Sequence, residues 1–251
     1  MIAWYRQQVK EHGVVLATKW LWHVISSVTR ARLANRWLSA RLTCPCCGWS
    51  GRRFYDYIEV GYAMPNEACP QCDSHSRHRF LFLWLDRERR LEESSGVALV
   101  FAPERALAPV WAAASHLKVI RVDLEPKRGT DVLADLQRLP FKTNSTGLLW
   151  CHHVLEHVEN DREAISELRR VLIPQVGQLI LSVPMIPGTR TEEYGFADPL
   201  LSGHWRIYGD DLIARLSSGG LRVKEVNFVL SPEDCRRYGI KPEPFYICLK
   251  P

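Results

Sequence analysis

The sequence predicts an α/β fold: a seven-stranded, mostly parallel sheet flanked by helices, preceded by a small metal-binding segment and an N-terminal amphipathic helix. Three observations predict it. From Val97 onward, short apolar runs alternate with helical segments, the pattern of strand–helix–strand units on a parallel sheet. Between Val119 and Pro184 lies an ordered series: VIRVDLEP closing on an acid, DLQRLPF with a second acid, then GLLWCHHVLEHV opening into a helix and another strand. Ahead of it stand two Cys-x-x-Cys pairs, each with proline after its first cysteine.

At 251 residues and 46% hydrophobic, the chain can bury one full-sized core and has residues left for a small appendage. Its formal charge of +5 is unevenly placed. Residues 1–41 hold Arg6, Lys10, Lys19, Arg30, Arg32, Arg36 and Arg41 against a single acid, Glu11, which leaves the main body near neutral. That distribution excludes a nucleic-acid footprint over the whole body. The longest early apolar stretch, GVVLATKWLWHVISSV, is broken by Lys19 and His23 and is shorter than the roughly 20 residues of a membrane span. Charge density rises after it rather than before it, unlike a secretory signal, so the expected location is cytoplasmic.

Residues 1–42 are expected to form a basic amphipathic helical arm. Leu16, Trp20, Val24 and Val28, with Leu21 and Ile25 adjoining, recur at helical spacing over a polar strip of Lys19, Ser26 and Arg30. Such a helix docks on its own body or on a second copy. Trp4, Trp20, Trp22 and Trp37 beside the arginines also suit a membrane boundary, so peripheral membrane contact through residues 1–41 is a second expectation and contact with RNA a third.

Residues 43–93 are expected to form a zinc-ribbon-like segment and a linking helix. Five of the eight cysteines fall between Cys44 and Cys72, and such clustering favours a metal over disulfides. The pairs are Cys44-Pro-Cys-Cys47-Gly and Cys69-Pro-Gln-Cys72-Asp, with 21 residues between them. Each turn presents two thiolates, so Cys44, Cys47, Cys69 and Cys72 would close a tetrahedral zinc shell with no position left for substrate; the site is structural. Cys46 would strain the turn as a ligand and is expected as a spare thiol, with replacement of Cys47 as the alternative. The run RHRFLFLWLDRERRLEE reads as a helix whose Phe80, Leu81, Leu83, Trp84 and Leu91 pack on the following domain.

Residues 94–251 carry the expected strands, at Val97–Phe101, Lys118–Val122, Asp131–Leu133, Gly147–Cys151, Gln178–Val183, Arg222–Leu230 and Phe245–Leu249, as a Rossmann-like sheet. In open α/β sheets, ligands bind beyond the carboxyl ends of the strands, where a carboxylate can take both hydroxyls of a ribose. Asp123, directly after VIRV, is placed for that. Asp135, one strand over, is placed to meet an adenine amine with its carboxylate or neighbouring backbone.

Those residues carry a resemblance. Asp123 of VIRVDLEP, Asp135 to Phe141, His153 to Val158 with Asn160 and Asp161, and the ELRRVLIP helix end make residues 97–251 similar to a class I S-adenosylmethionine-dependent methyltransferase domain of the type-11 group. GHWRIYGDDLIARLSSGGLRV from Gly203 resembles that group's later H-x-R-x-Y-G element. The CPxCG and CPxC pairs followed by SRHR resemble the zinc-bearing front segment of a bacterial subgroup, extending the likeness from about Cys44 to the end. The resemblance implies S-adenosylmethionine as cofactor, bound by Ala102, Pro103, Glu104, Asp123, Asp135, Leu136 and His152. It implies His153 and His157 as catalytic candidates, with His204, Arg206 and Tyr208 on the acceptor side. The acceptor would be a small molecule, a glycan or lipid-linked intermediate, or RNA.

Three positions depart from the family pattern. VALVFAPERAL has no glycine where a Gly-rich turn admits the cofactor's methionine part, NSTG stands for NSFD, and IPQVG stands for KPGG. A catalytically inactive scaffold or binding protein that kept the fold and the zinc is therefore the alternative. HVLEH also satisfies H-x-x-E-H, in which two histidines on one helical face hold a catalytic metal, but the motif directly follows an apolar strand.

Overall fold

A computed structural model describes residues 2–59, 62–88, 90–127 and 129–251. Met1 of the expected arm and Arg89 of the expected linking helix lie outside the described residues. The chain forms two compact units, one of Met1–Phe80, Leu200–Ser202 and Leu230–Pro242, the other of Leu81–Pro199, Gly203–Val229 and Glu243–Pro251.

The first unit begins with two helices rather than the single one expected, α1 (Ile2–His12) and α2 (Val14–Trp37), broken at Gly13 where φ is 84°. They pack together through Tyr5 and Thr18, 3.0 Å between hydroxyls, and through the His12 and Trp20 rings. The buried face of α2 is made of small residues, Ala17, Ser27 and Ala31, while Leu16 and Ile25 of the expected apolar stripe stay exposed. Small side chains let the backbone approach closely enough for polar clips. Ser27 Oγ accepts the Asp56 N–H at 2.7 Å, and Asn35 Oδ1 accepts the N–H groups of Arg52 and Arg53 at 2.7 and 2.8 Å. Arg30 and Arg53 both pair with Asp56. Burial pushes the Asp56 carboxyl up, but the Asn66 N–H and the Arg53 guanidinium outweigh it, and the group titrates below its ordinary value.

Two antiparallel hairpins follow, β1 (Leu42–Thr43) with β2 (Ser50–Gly51) and β3 (Tyr55–Ile58) with β4 (Ala63–Ala68). Helix α3 (Ser76–Arg87) ends earlier than expected and gives way to a 3-10 turn at Arg90–Glu93. After Leu85 the apolar repeat lapses until Leu91, so a further turn of helix would bury nothing.

The second unit is built on β5 (Gly96–Phe101), α4 (Ala108–Ala113), β6 (Leu117–Asp123), β7 (Val132–Leu133), β8 (Leu148–His152), α5 (Asp161–Val171) and β9 (Gln178–Ser182). A hairpin of β10 (Glu192–Asp198) and β11 (His204–Ile207), then α6 (Leu212–Ser218) and β12 (Arg222–Glu225), precede α7 (Pro232–Tyr238) of the first unit, and β13 (Tyr246–Leu249) closes the sheet. Seven strands run in the order β12-β13-β9-β8-β5-β6-β7. Neighbours from β7 to β9 are parallel, and β13 is antiparallel to both β9 and β12. The central strand β8 is buried along its length, as a strand covered on both faces requires.

Two strand expectations change. The run Arg222–Leu230 forms a strand only to Glu225, because β13 pairs just four residues, from Arg222↔Leu249 to Glu225↔Tyr246. The β10–β11 hairpin was not expected: its first strand is mostly exposed and lacks alternation of apolar and polar residues. Helix α5 begins where the sequence signals it, with Asn160 accepting the Glu163 N–H, acids in its first turn, and Arg169 and Arg170 in its last. No helix among the described residues is long and apolar enough to cross a membrane.

Candidate functional site

In the first unit the sulfur atoms of Cys44, Cys47, Cys69 and Cys72 lie within 4.8 Å of one another. Cys44 and Cys72 are 3.6 Å apart, and Cys47 and Cys69 3.7 Å. A tetrahedron with metal–sulfur bonds of about 2.3 Å has edges of roughly 3.8 Å, so the four thiols stand at the spacing of a zinc shell. Cys46 is buried outside this group. The two turns repeat each other. Gly48 N–H bonds the Cys44 carbonyl and Asp73 N–H the Cys69 carbonyl, both at 2.9 Å, and both residues take left-handed backbone, φ 75° and 61°. Cys44 N–H and Cys69 N–H close the turns onto the carbonyls of Trp49 and Ser74.

One residue of the SRHR run ties this unit together. Arg79 is wholly buried; it donates to the carbonyls of Glu67, Ser74, Tyr238 and Gly239, and its guanidinium lies 4.3 Å from the centre of the Phe54 ring. Four carbonyls satisfy the planar fork of an arginine as they could not a lysine. Sequence reasoning gave Arg79 no role, because its acceptors are more than 150 residues away as well as nearby.

In the second unit the strand order reverses between β5 and β8, and the carboxyl ends there are where an open sheet offers a crevice. After β5, Ala102 takes φ 44°, a left-handed conformation normally left to glycine, and its N–H bonds the Val122 carbonyl at 2.8 Å. The turn is thus made without the glycine. The other two departures from the family pattern differ from each other. Gln175 of IPQVG takes φ 63° where a glycine would stand. Gly147 of NSTG sits so close to Ser95 that a Cβ would lie 2.1 Å from its carbonyl oxygen, so this backbone admits no acid there.

Asp123 ends β6 with its carboxylate largely buried, accepting the Glu125 N–H at 3.1 Å and meeting the exposed ammonium of Lys127 at 3.3 Å. Asp135 is exposed and its carboxylate accepts the Gln137 N–H at 2.8 Å and the Gln137 side-chain amide; Leu136 is buried beside it. This DLQRLPF turn is held by α5. Glu167 accepts the Leu139 N–H at 2.7 Å, and Arg170 donates to the carbonyls of Leu139 and Phe141. Across the switch point, His152 hydrogen-bonds Ser182 through Nδ1 and stands 3.6 Å from Glu104 through Nε2, so residues from the ends of β5, β8 and β9 form one chain. Pro103 lies between Ala102 and Glu104 in the same turn.

The two catalytic candidates face different ways. His153, at φ 52°, has the fully buried Glu156 3.5 Å from Nδ1 and Glu243 3.3 Å from Nε2. His157 is exposed and stacks edge-on against His204 at 4.7 Å. Burial, followed by the charges of His157 and His153, pushes the His204 imidazole down to about 4, so it stays neutral near pH 7. The H-x-x-E-H pattern therefore does not bring its two histidines together, and Leu155–His157 is a single 3-10 turn rather than a long helix.

Arg206 and Tyr208 are buried beneath this loop rather than lining an acceptor surface. Arg206 donates to the carbonyls of Leu155, Val158 and Glu159 and pairs with Glu193 at 2.8 Å. Tyr208 donates to Asp161 at 3.1 Å. The loop has no regular ladder of its own, so its carbonyls need such a donor. The signal for this role is GHWRIYG, whose alternation puts Arg206 and Tyr208 on one side of β11.

A family model described as a methyltransferase domain matches residues 102–181. Among solved structures, an S-adenosylmethionine dependent methyltransferase from Mesorhizobium loti is 16% identical with a TM-score of 0.49, covering 66% of this chain and 96% of that one. The YcgJ protein from Bacillus subtilis is 20% identical with a TM-score of 0.44, covering 60% of this chain and 71% of that one. Comparison with curated proteins finds no match.

Proposed function

We propose that the chain, whose residues 102–181 match a methyltransferase domain, is a class I S-adenosylmethionine-dependent methyltransferase and that it methylates an acceptor whose reacting group gives up a proton. The observation that carries the reading is His153, held between two carboxylates at the carboxyl end of β8. The cofactor supplies an electrophilic methyl group on a sulfonium; the chain's share is positioning and proton removal. His153 would take the proton, and Glu156 and Glu243 would stabilise the imidazolium that results. Asp123 would hold the ribose hydroxyls once Lys127 swings away, and the backbone at Asp135 and Leu136 would meet the adenine. Glu104, on the turn made by Ala102 and Pro103, offers a carboxylate to the α-ammonium of the methionine part, with His152 fixing its position. The unbroken turn at Ala102 supports a working cofactor site.

Titration calorimetry with S-adenosylmethionine and S-adenosylhomocysteine tests this. The full chain is expected to bind both, and Asp123→Ala to weaken binding about a hundredfold, since two charge-assisted hydrogen bonds are worth at least ~1.5 kcal/mol each. A wild-type chain that binds neither would leave the scaffold alternative standing in place of the enzyme.

The four thiols Cys44, Cys47, Cys69 and Cys72 would hold a structural zinc, their spacing being the support. The outer face of α2 supports a peripheral membrane contact. Val15, Trp22, Leu33 and Trp37 follow one another at steps of seven, eleven and four residues, on the side of the helix opposite Ala17 and Ala31, and Trp22 and Trp37 are 68% and 74% exposed. Lys19, Arg30 and Arg36 flank them, which complements an anionic lipid surface. The chain should float with anionic vesicles, and Trp22→Ser with Trp37→Ser should abolish flotation. Equal flotation of the double variant would refute the contact.

A further inference from the structure

The first unit contains an open cleft of about 770 Å3 whose walls carry Arg41, Arg52, Arg236 and Arg237, with Thr43 beside them and Glu233 as the acid on the rim. The four arginines come from three separate segments. Arg41 leads into β1, Arg52 follows β2, and Arg236 and Arg237 stand in the last turn of α7. Two of these segments are fixed from behind. Asn35 of α2 anchors the Arg52 N–H at 2.7 Å, and Arg79 anchors the end of α7 through the carbonyls of Tyr238 and Gly239 at 2.7 and 2.8 Å.

Elsewhere in the unit Arg30 and Arg53 share Asp56. Among the described residues, none of the four cleft arginines stands in an ion pair, although Glu233 lies on the same wall. Like charges gathered on a concave surface repel one another, and an anion entering the cleft relieves that repulsion. Guanidinium forks match phosphate oxygens two at a time, so four of them exceed what one phosphate uses and suit two. The volume lies within the range of small-ligand sites. The four arginines come from three separate segments around one cleft instead of running along a single helix or strand.

We propose that this cleft binds a diphosphate group, either of a free ligand or of one presented at a lipid surface. The step goes beyond the methyl-transfer reading, and the test keeps the two apart. Inorganic pyrophosphate is titrated calorimetrically into the full chain and into Arg236→Gln combined with Arg237→Gln, with S-adenosylhomocysteine as an independent control. Pyrophosphate should bind the wild type, weaken with added salt, and bind the double variant at least tenfold less well, while S-adenosylhomocysteine binding stays unchanged. Arg41→Gln, in a different segment, should give a loss in the same direction should the double variant misfold.

Co-sedimentation with phosphatidic acid and phosphatidylcholine vesicles distinguishes the sources. Displacement from phosphatidic acid vesicles by pyrophosphate assigns a lipid-borne phosphate, and vesicle binding indifferent to pyrophosphate assigns a free ligand; both uphold the site. A wild type that ignores pyrophosphate, variants that bind it as well as the wild type does, or arginine-dependent binding of single-stranded RNA without pyrophosphate binding would each overturn it.

Discussion

Stripping the zinc proposed for Cys44, Cys47, Cys69 and Cys72 is expected to unfold the hairpins β1–β2 and β3–β4 and to loosen everything anchored on them. These strands are two to six residues long, and few of their side chains are fully buried. A two-stranded ribbon of that size is not stable alone. A four-sulfur zinc site contributes roughly 10–16 kcal/mol of apparent binding free energy, more than a segment with so little core can otherwise gather. Hydrogen exchange should therefore show residues 42–76 losing protection in chelator, with the sheet of the second unit protected throughout. Cys72→Ser should do the same without chelator. Less than one zinc per chain by elemental analysis, together with a Cys44→Ser variant as stable as the wild type, would remove the metal from the account.

Replacing Arg206 with leucine should cost about 3–5 kcal/mol of stability, the scale for breaking one partner out of a buried charged network. Three loop carbonyls would lose their donor at once, and Asp161 and Glu193 would lose a cation in a place Arg215 only partly covers. Arg206→Lys keeps the charge but cannot span the three carbonyls, and should recover only part of the loss. Urea unfolding measures the stability change, and calorimetry with S-adenosylhomocysteine measures what the slackened His153–Val158 loop does to the cofactor site. A leucine variant within ~0.5 kcal/mol of the wild type would mean the loop holds its own shape.

The departures of the sequence from the methyltransferase pattern it resembles look different once the backbone is known. A missing glycine in VALVFAPERAL reads as a missing cofactor turn, because φ is not written in the sequence and alanine rarely takes 44°. The surrounding structure imposes that conformation: Ala102 is pinned by the Val122 carbonyl on one side and by Pro103 on the other. Such strain, of order 1–3 kcal/mol, persists where neighbours over-determine it, commonly at functional sites. Gly147 illustrates the opposite case, a residue that departs from a pattern because the Ser95 carbonyl leaves no room for any side chain.

Strand order along the chain, the two cysteine pairs, the acid after VIRV and the capped start of α5 were legible in the sequence, because each depends on local spacing: alternation, a four-residue turn, an N-cap. What only the tertiary structure decided depends on groups brought together from far apart. Arg79 reaching α7, Arg206 holding the loop after β8, His153 flanked by Glu156 and Glu243, and four arginines around one cleft have no spacing to announce them. Periodicity records which way a side chain faces, whereas its partner is set by where distant segments come to rest.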